Sequence, residues 1–242
     1  VNKSLSRILV IQNDDIVPIG DFGKALQQLG CKLTTHHSYI DSLDSLATAD
    51  FNGLVVLGGR MSAFDDDQAP FLAGVVDLIK EYHRQQKPIF GICLGAQLLA
   101  RAFGGEYRSN DGWEVAFTDL SINQVGQQDP VLSGLPETLS MYEMHQDTLE
   151  LPFDAQLLIT GKHCQNQAFR VGQFSYGVQF HPEATADIVN GWADRVATNL
   201  DETTRPIHQA MLNTTKNQFL NQQKICNHLA AKWLTLVHKQ MV

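Results

Sequence analysis

Three stretches, "RILVIQND", "FNGLVVLGGR" and "KPIFGIC", share one form: a short apolar run that ends in polar residues or glycine. Each is too short for a helix, is rich in Val, Ile, Leu and Phe, and reads as a buried strand. Between and after them the apolar positions fall at helical spacing. "IGDFGKALQQLG" closes on Gly30, "PFLAGVVDLIKEYHRQQ" opens with Pro70 and ends basic, and "LGAQLLARAFGG" stops at Gly104 and Gly105. Alternating strand and helix predict a parallel sheet covered on both faces. In such sheets the ligand crevice lies beyond the carboxyl ends of the strands, where Gly58, Gly59 and Cys93 fall.

The middle of the chain changes period. "WEVAFTDLSI", "TLSMYEMHQDTLELP", "AQLLITGKHCQNQAFRVG" and "FSYGVQFHP" read as short strands and turns that extend the same sheet. From Thr185 onward the pattern is helical again. Ile225, Leu229, Trp233 and Leu236 recur as one stripe, expected to face the core, with a partner-binding surface as the other reading. No repeat, low-complexity tract or linker interrupts the chain, so one compact domain with a helical C-terminal region is expected.

Composition narrows the function. The 242 residues are 43% hydrophobic and carry a net charge of −8. That charge argues against nucleic acid as a partner, because phosphate contacts need clustered Lys and Arg. No apolar run approaches the roughly 20 residues that span a bilayer. The start, "VNKSLSRILVIQND", turns polar too soon for a signal peptide. The expectation is a cytoplasmic protein with no membrane partner. Cys31, Cys93, Cys164 and Cys226 lie far apart without a C-x-x-C pair, so neither disulfides nor a zinc site is expected. Each thiol is then either a small buried hydrophobe or chemically active.

Cys93 is the one with a reason to be active. A strand, then Gly91-Ile92-Cys93-Leu94-Gly95, then a helix is the nucleophile-elbow pattern. The sharp turn cramps the backbone at Cys93, and the positive end of the following helix favours a thiolate. The backbone N–H of Leu94 is free to hold a developing oxyanion. The same glycines would also serve simple tight packing. A nucleophilic Cys needs a base, and the base an orienting carboxylate. In "GVQFHPEAT", Pro182 biases His181 towards an extended conformation, which would set His181 and Glu183 on one side of the chain. The alternative is that Pro182 ends a strand and Glu183 caps a helix. Gly59, after its own strand, offers a second N–H to the oxyanion, or a mere turn. Asp65, Asp66 and Asp67 read as a solvated loop rather than a metal site, and His36 and His37 as surface residues.

Taken together, "VVLGGRMS", "GICLGAQLLA" and "GVQFHPE" resemble the class I (triad) glutamine amidotransferases over about Leu9 to Glu183. The likeness is nearest to stand-alone proteins related to the amidotransferase half of GMP synthetase, a circle that includes plant γ-glutamyl peptidases. It implies an α/β fold: a three-layer αβα, flavodoxin-like, mostly parallel sheet with a small β extension and C-terminal helices. Residues 1–190 would form the amidotransferase-like domain and 191–242 a helical extension packed on it. By that resemblance Cys93 is the nucleophile, His181 the base and Glu183 its partner, with Gly59 and Leu94 as oxyanion donors. Gln97 would hold the substrate's amino-acid end, and "MYEMHQDTLELP" implicates His145 and Asp147 at the same end. Arg60 stands where many relatives have Pro, and could anchor a substrate carboxylate. Ala96 stands where His is frequent, and "NDGW" (Asn110 to Trp113) replaces "EIGW".

The resemblance implies glutamine or a γ-glutamyl compound as substrate and no cofactor or metal. No G-x-x-x-x-G-K-[ST] phosphate loop is present to activate an ammonia acceptor. Three readings stay open: a glutaminase subunit served by a separate synthetase, a free hydrolase of γ-glutamyl peptides or amides, and a regulatory scaffold that kept the pocket.

Overall fold

The three apolar runs lie together in one nine-stranded sheet of order β2-β1-β3-β4-β9-β8-β7-β5-β6 in the computed structural model, which describes residues 5–198 and 201–241. β1 (Arg7–Gln12), β3 (Gly53–Val56) and β4 (Ile89–Ile92) are almost wholly buried, as continuous apolar strands under two helical layers must be. β2 (Lys32–His37) and β9 (Ser175–Val178) flank them, and all five strands run parallel. β2 is polar because it is an edge strand that pairs only with β1.

Helices cover both faces. α1 (Gly20–Gln28) and α7 (Lys216–Lys239) bury one face, where Phe22 stacks on Phe90 at 4.6 Å and Trp233 closes the group. α2 (Phe71–Arg84) and α3 (Leu94–Ala102) bury the other. In the C-terminal stripe, Leu229, Trp233 and Leu236 are buried in the first of these cores and Ile225 packs half-buried against it. The stripe is therefore an internal surface.

The β extension is larger than expected. β5 (Glu106–Ile122) and β6 (Thr138–Glu150) form a long antiparallel hairpin rather than short strands, with an irregular register between Ser109 and Glu114. β7 (Gln156–Thr160) and β8 (Ala168–Val171) join it to the parallel half, and the short α4 (Gln124–Gln128) follows β5. The expected boundary at 190/191 falls inside α5 (Ala186–Ala197), which is followed by α6 (Thr204–Leu212). α5 is capped by Thr185, whose hydroxyl accepts from the Ile188 N–H, so Glu183 is not the cap.

Candidate active site

Cys93 sits between β4 and α3 with φ 51° and ψ −112°, a left-handed conformation that non-glycine residues rarely adopt. Its backbone N–H donates to Val178 O at 2.8 Å, which pins the turn to β9. The glycines on either side are there for close approach. A Cβ on Gly91 would stand 2.5 Å from Gly95 O, and one on Gly95 would stand 2.0 Å from Val56 O. Tight packing and presentation of the thiol are thus one device. Leu94 opens α3, so the helix makes no use of its N–H.

His181 and Glu183 meet as anticipated, though not through an extended stretch. The Ala184 N–H donates to His181 O at 3.3 Å, which closes a tight turn with Pro182 at its second position. Within that turn His181 Nδ1 lies 2.7 Å from Glu183 Oε1, both residues being buried. Burial works to lower the His181 pKa, but the Glu183 charge and the Cys93 sulfur outweigh it and hold the imidazole well above its ordinary value. A Cβ on Gly58 would lie 3.3 Å from His181 Cε1 and 3.5 Å from Cys93 Cβ, so thiol and imidazole face each other across this glycine. Gly59 is bare for a related reason: a Cβ there would stand 2.9 Å from a Leu94 methyl.

A cavity of about 380 Å³ opens over this group and is lined by Gly59, Arg60, Cys93, Gln97, His145, Asp147 and His181, among others. Every one of these is a candidate from the sequence, and three of them, Arg60, Gln97 and His145, already bond or face neighbouring residues. Arg60 reaches the mouth with its charge already engaged. Its Nε and Nη2 bond the two oxygens of Asp14 at 2.7 and 2.8 Å, and Nη2 also bonds Asp15 at 2.9 Å. The same Asp14 accepts the Arg60 backbone N–H at 3.0 Å, so the pair braces the glycine loop. Gln97 donates its amide to Asp147 O at 3.0 Å and Gln179 Oε1 at 3.1 Å, which leaves its oxygen to meet a ligand. His145 turns its ring nitrogens inward, Nδ1 towards Asp147 O and Nε2 towards Glu114 and Glu143. The acidic run also differs from a free loop, since Asp66 pairs with both terminal nitrogens of Arg101.

Several contributors were not singled out from the sequence. Gln179, inside the "GVQFHPE" motif, directs its Nε2 at Cys93 Sγ from 3.7 Å. Trp192 on α5 sets its ring edge-on to His181 at 5.0 Å and donates its indole N–H to Ile16 O. Gln222 on α7 bonds the carbonyls of His181 and Ala184 and accepts the Tyr142 N–H. Long polar side chains on an amphipathic helix look solvated until tertiary contacts are known.

A thiol held in a strained turn at a helix N-terminus, facing an imidazole braced by a buried carboxylate, has the parts for acyl transfer through sulfur. A family model for glutamine amidotransferase class-I matches residues 22–188. The chain belongs to that family. Among curated relatives, a glutamine-hydrolysing GMP synthase subunit of Pyrococcus abyssi is 35% identical, over 44% of this chain and 56% of its own length. Gamma-glutamyl peptidase 4 of Arabidopsis thaliana is 29% identical, over 77% of this chain and 76% of its own. The chain spans 56% to 70% of the lengths of three such GMP synthase subunits. A crystal structure of a glutamine amido transferase from Methylobacillus flagellatus is 26% identical with a TM-score of 0.86, covering 96% of each chain. One from Thermotoga maritima, 22% identical with a TM-score of 0.83 over 96% of this chain and 99% of its own, shares the fold. Among the described residues no helix is long and apolar enough to cross a membrane.

Proposed function

We propose that this amidotransferase hydrolyses the γ-amide of glutamine or of a γ-glutamyl compound through a thioester on Cys93. The observation that carries the reading is the His181–Glu183 pair facing a thiol in a strained elbow. His181 takes the thiol proton and Cys93 Sγ attacks the γ-carbonyl. The oxyanion is received by the N–H groups of Leu94 and Gly59, where losing one donor typically costs about 3 kcal/mol of barrier. Collapse breaks the C–N bond, and His181 returns its proton to the leaving amine. Water, deprotonated by His181, then cleaves the thioester to release the γ-carboxylate and the free thiol. Glu183 keeps the Nδ1 proton in place throughout. Gln97 Oε1 and the backbone around Asp147 receive the substrate's amino-acid end.

Two destinations for the amine differ in what supports them. Similarity to glutamine-hydrolysing GMP synthase subunits supports ammonia passing to a separate synthetase chain. The cavity supports a larger leaving amine: about 380 Å³ lies in the range of pockets for small organic ligands, roughly 300–1,000 Å³. Its apolar lining from Met61, Trp113, Met144 and Trp192 suits more than ammonia. Product release from glutamine, glutathione and other γ-glutamyl amides, with Cys93→Ala as control, decides between them. Turnover of peptides over glutamine favours the peptidase; glutamine turnover that rises on adding a synthetase favours the ammonia-supplying role. No turnover of any of them, wild type equalling the variant, leaves the scaffold and defeats the proposal.

A further inference from the structure

Below the floor of the cavity, four buried side chains converge from three segments. They are Glu114 on β5, Glu143 and His145 on β6, and Cys164 in the loop between β7 and β8. One donor atom from each of Glu114, His145 and Cys164 lies within 4.8 Å of the other two. His145 Nε2 stands 3.2 Å from Glu114 Oε2 and 3.3 Å from Glu143 Oε2. Neither contact is aligned: Nε2 and both oxygens of Glu143 have no hydrogen-bond partner, although Glu143 is 0% exposed.

We propose that this cluster binds one divalent transition-metal ion of the zinc class, through His145 Nε2, Cys164 Sγ and one oxygen of Glu114, with Glu143 turning in from beside His145 as the fourth ligand. Tetrahedral zinc bonds to nitrogen and oxygen of roughly 2.0–2.2 Å place donor atoms about 3.3 Å apart, which matches the two histidine–carboxylate separations. Glu143, which lies outside the set of donors within 4.8 Å of one another, must turn further towards Glu114 and Cys164, and Cys164 takes a longer bond of about 2.3 Å. A thiolate and an imidazole in the set select a borderline-soft ion over magnesium or calcium.

The surrounding bonds are those that orient metal ligands. Asp147 O can only accept, so His145 Nδ1, 3.1 Å away, carries the proton and leaves the Nε2 lone pair to an ion. Gln167 Nε2 donates to Glu114 Oε2 at 3.3 Å, and the Thr148 hydroxyl lies 3.2 Å from Cys164 Sγ. An imidazolium between the two carboxylates would leave both Glu143 oxygens without an aligned donor; an ion gives the group a common partner. Bound there, it ties the β5–β6 hairpin to the β7–β8 loop and steadies Asp147 O, which Gln97 also bonds. The inference is independent of the catalytic proposal.

The test uses Cys93→Ala protein, so that the cavity thiol contributes nothing, stripped with a chelator and titrated with Co²⁺ and then Zn²⁺. The expected result is uptake of one equivalent with a thiolate-to-cobalt charge-transfer band that zinc abolishes. Cys164→Ser in the same background loses the band. Glu143→Gln weakens Co²⁺ binding at least tenfold and removes the rise in melting temperature on adding Zn²⁺, its fold being checked by circular dichroism. Absence of stoichiometric uptake, or uptake that neither substitution changes, overturns the site.

Discussion

Gln222, on the last helix, donates a hydrogen bond of 3.0 Å to the backbone carbonyl of His181. The same amide nitrogen reaches Ala184 O at 3.0 Å, and the side-chain oxygen accepts the Tyr142 N–H at 2.8 Å. One fully buried side chain thereby fixes the turn that aims the imidazole and ties it to β6. The C-terminal helix is part of the site's scaffold.

Replacing Gln222 with Leu leaves the Tyr142 N–H and Ala184 O unpaired and takes from His181 O one of its two donors, the Ala184 N–H remaining; each unpaired group costs about 1–3 kcal/mol before relaxation. Urea unfolding should register a loss of about 2–4 kcal/mol once relaxation is allowed for. At temperatures where the variant stays folded, kcat should fall more than KM rises, because the imidazole and not the pocket is displaced. An unchanged kcat would show that the turn holds its shape without α7.

Gly95→Ala should be among the most damaging single-atom additions in the chain. The new methyl would lie 2.0 Å from a backbone carbonyl that belongs to a central strand. A loss of about 3 kcal/mol or more, or failure to fold, is expected by thermal melting. Gly191→Ala, on α5 with open space around it, is the control and should be neutral or slightly stabilising.

Asp14 gives the stability a pH signature. Burial pushes its carboxyl up, but the Arg60 guanidinium and backbone N–H outweigh burial and hold it below its ordinary value. A carboxyl lowered in the folded state contributes stability above its unfolded value, about 3.9, and loses it as pH falls through the folded value. Asp14→Asn should therefore be less stable than wild type at pH 7 by about 1 kcal/mol, Arg60 being half-exposed and screened. The gap should close as acid denaturation is followed below pH ~4. Arg60→Ala should cost stability in the same window, while a large rise in KM alone would restore Arg60 as a substrate anchor.

The four thiols should separate cleanly by reactivity. Burial pushes Cys31 up to about 11, and raises Cys164 and Cys226 as well. Cys93 opens on the cavity. Iodoacetamide at neutral pH should label one thiol in the native protein, at Cys93 by peptide mapping, and the other three only after unfolding. Equal rates at two or more positions would contradict the assignment.

Three strands of the parallel half of the sheet were legible because they are continuous apolar runs closed by polar residues or glycine, and the helices between them keep a 3.6-residue period. The elbow was legible because its glycines lie only two positions on either side of the thiol they present. β2 escaped because "KLTTHH" carries the polarity of an edge strand. The pairing of Arg60 was not legible because its partners, Asp14 and Asp15, lie more than forty positions away in the chain. His181 and Glu183 were paired correctly on the wrong geometry, since a turn and a strand can both juxtapose residues two apart. Trp192 and Gln222 had no local signal at all, being placed by helix packing alone.

The central claim, a γ-glutamyl thioester on Cys93, is open to direct capture. Wild-type protein mixed with glutamine or glutathione, quenched in acid within a turnover and analysed by intact and peptide mass spectrometry, should carry a glutamyl adduct on the Cys93 peptide. Cys93→Ala should carry none and release no product. Undiminished turnover by Cys93→Ala, or an adduct located on Cys31, Cys164 or Cys226, would contradict the account.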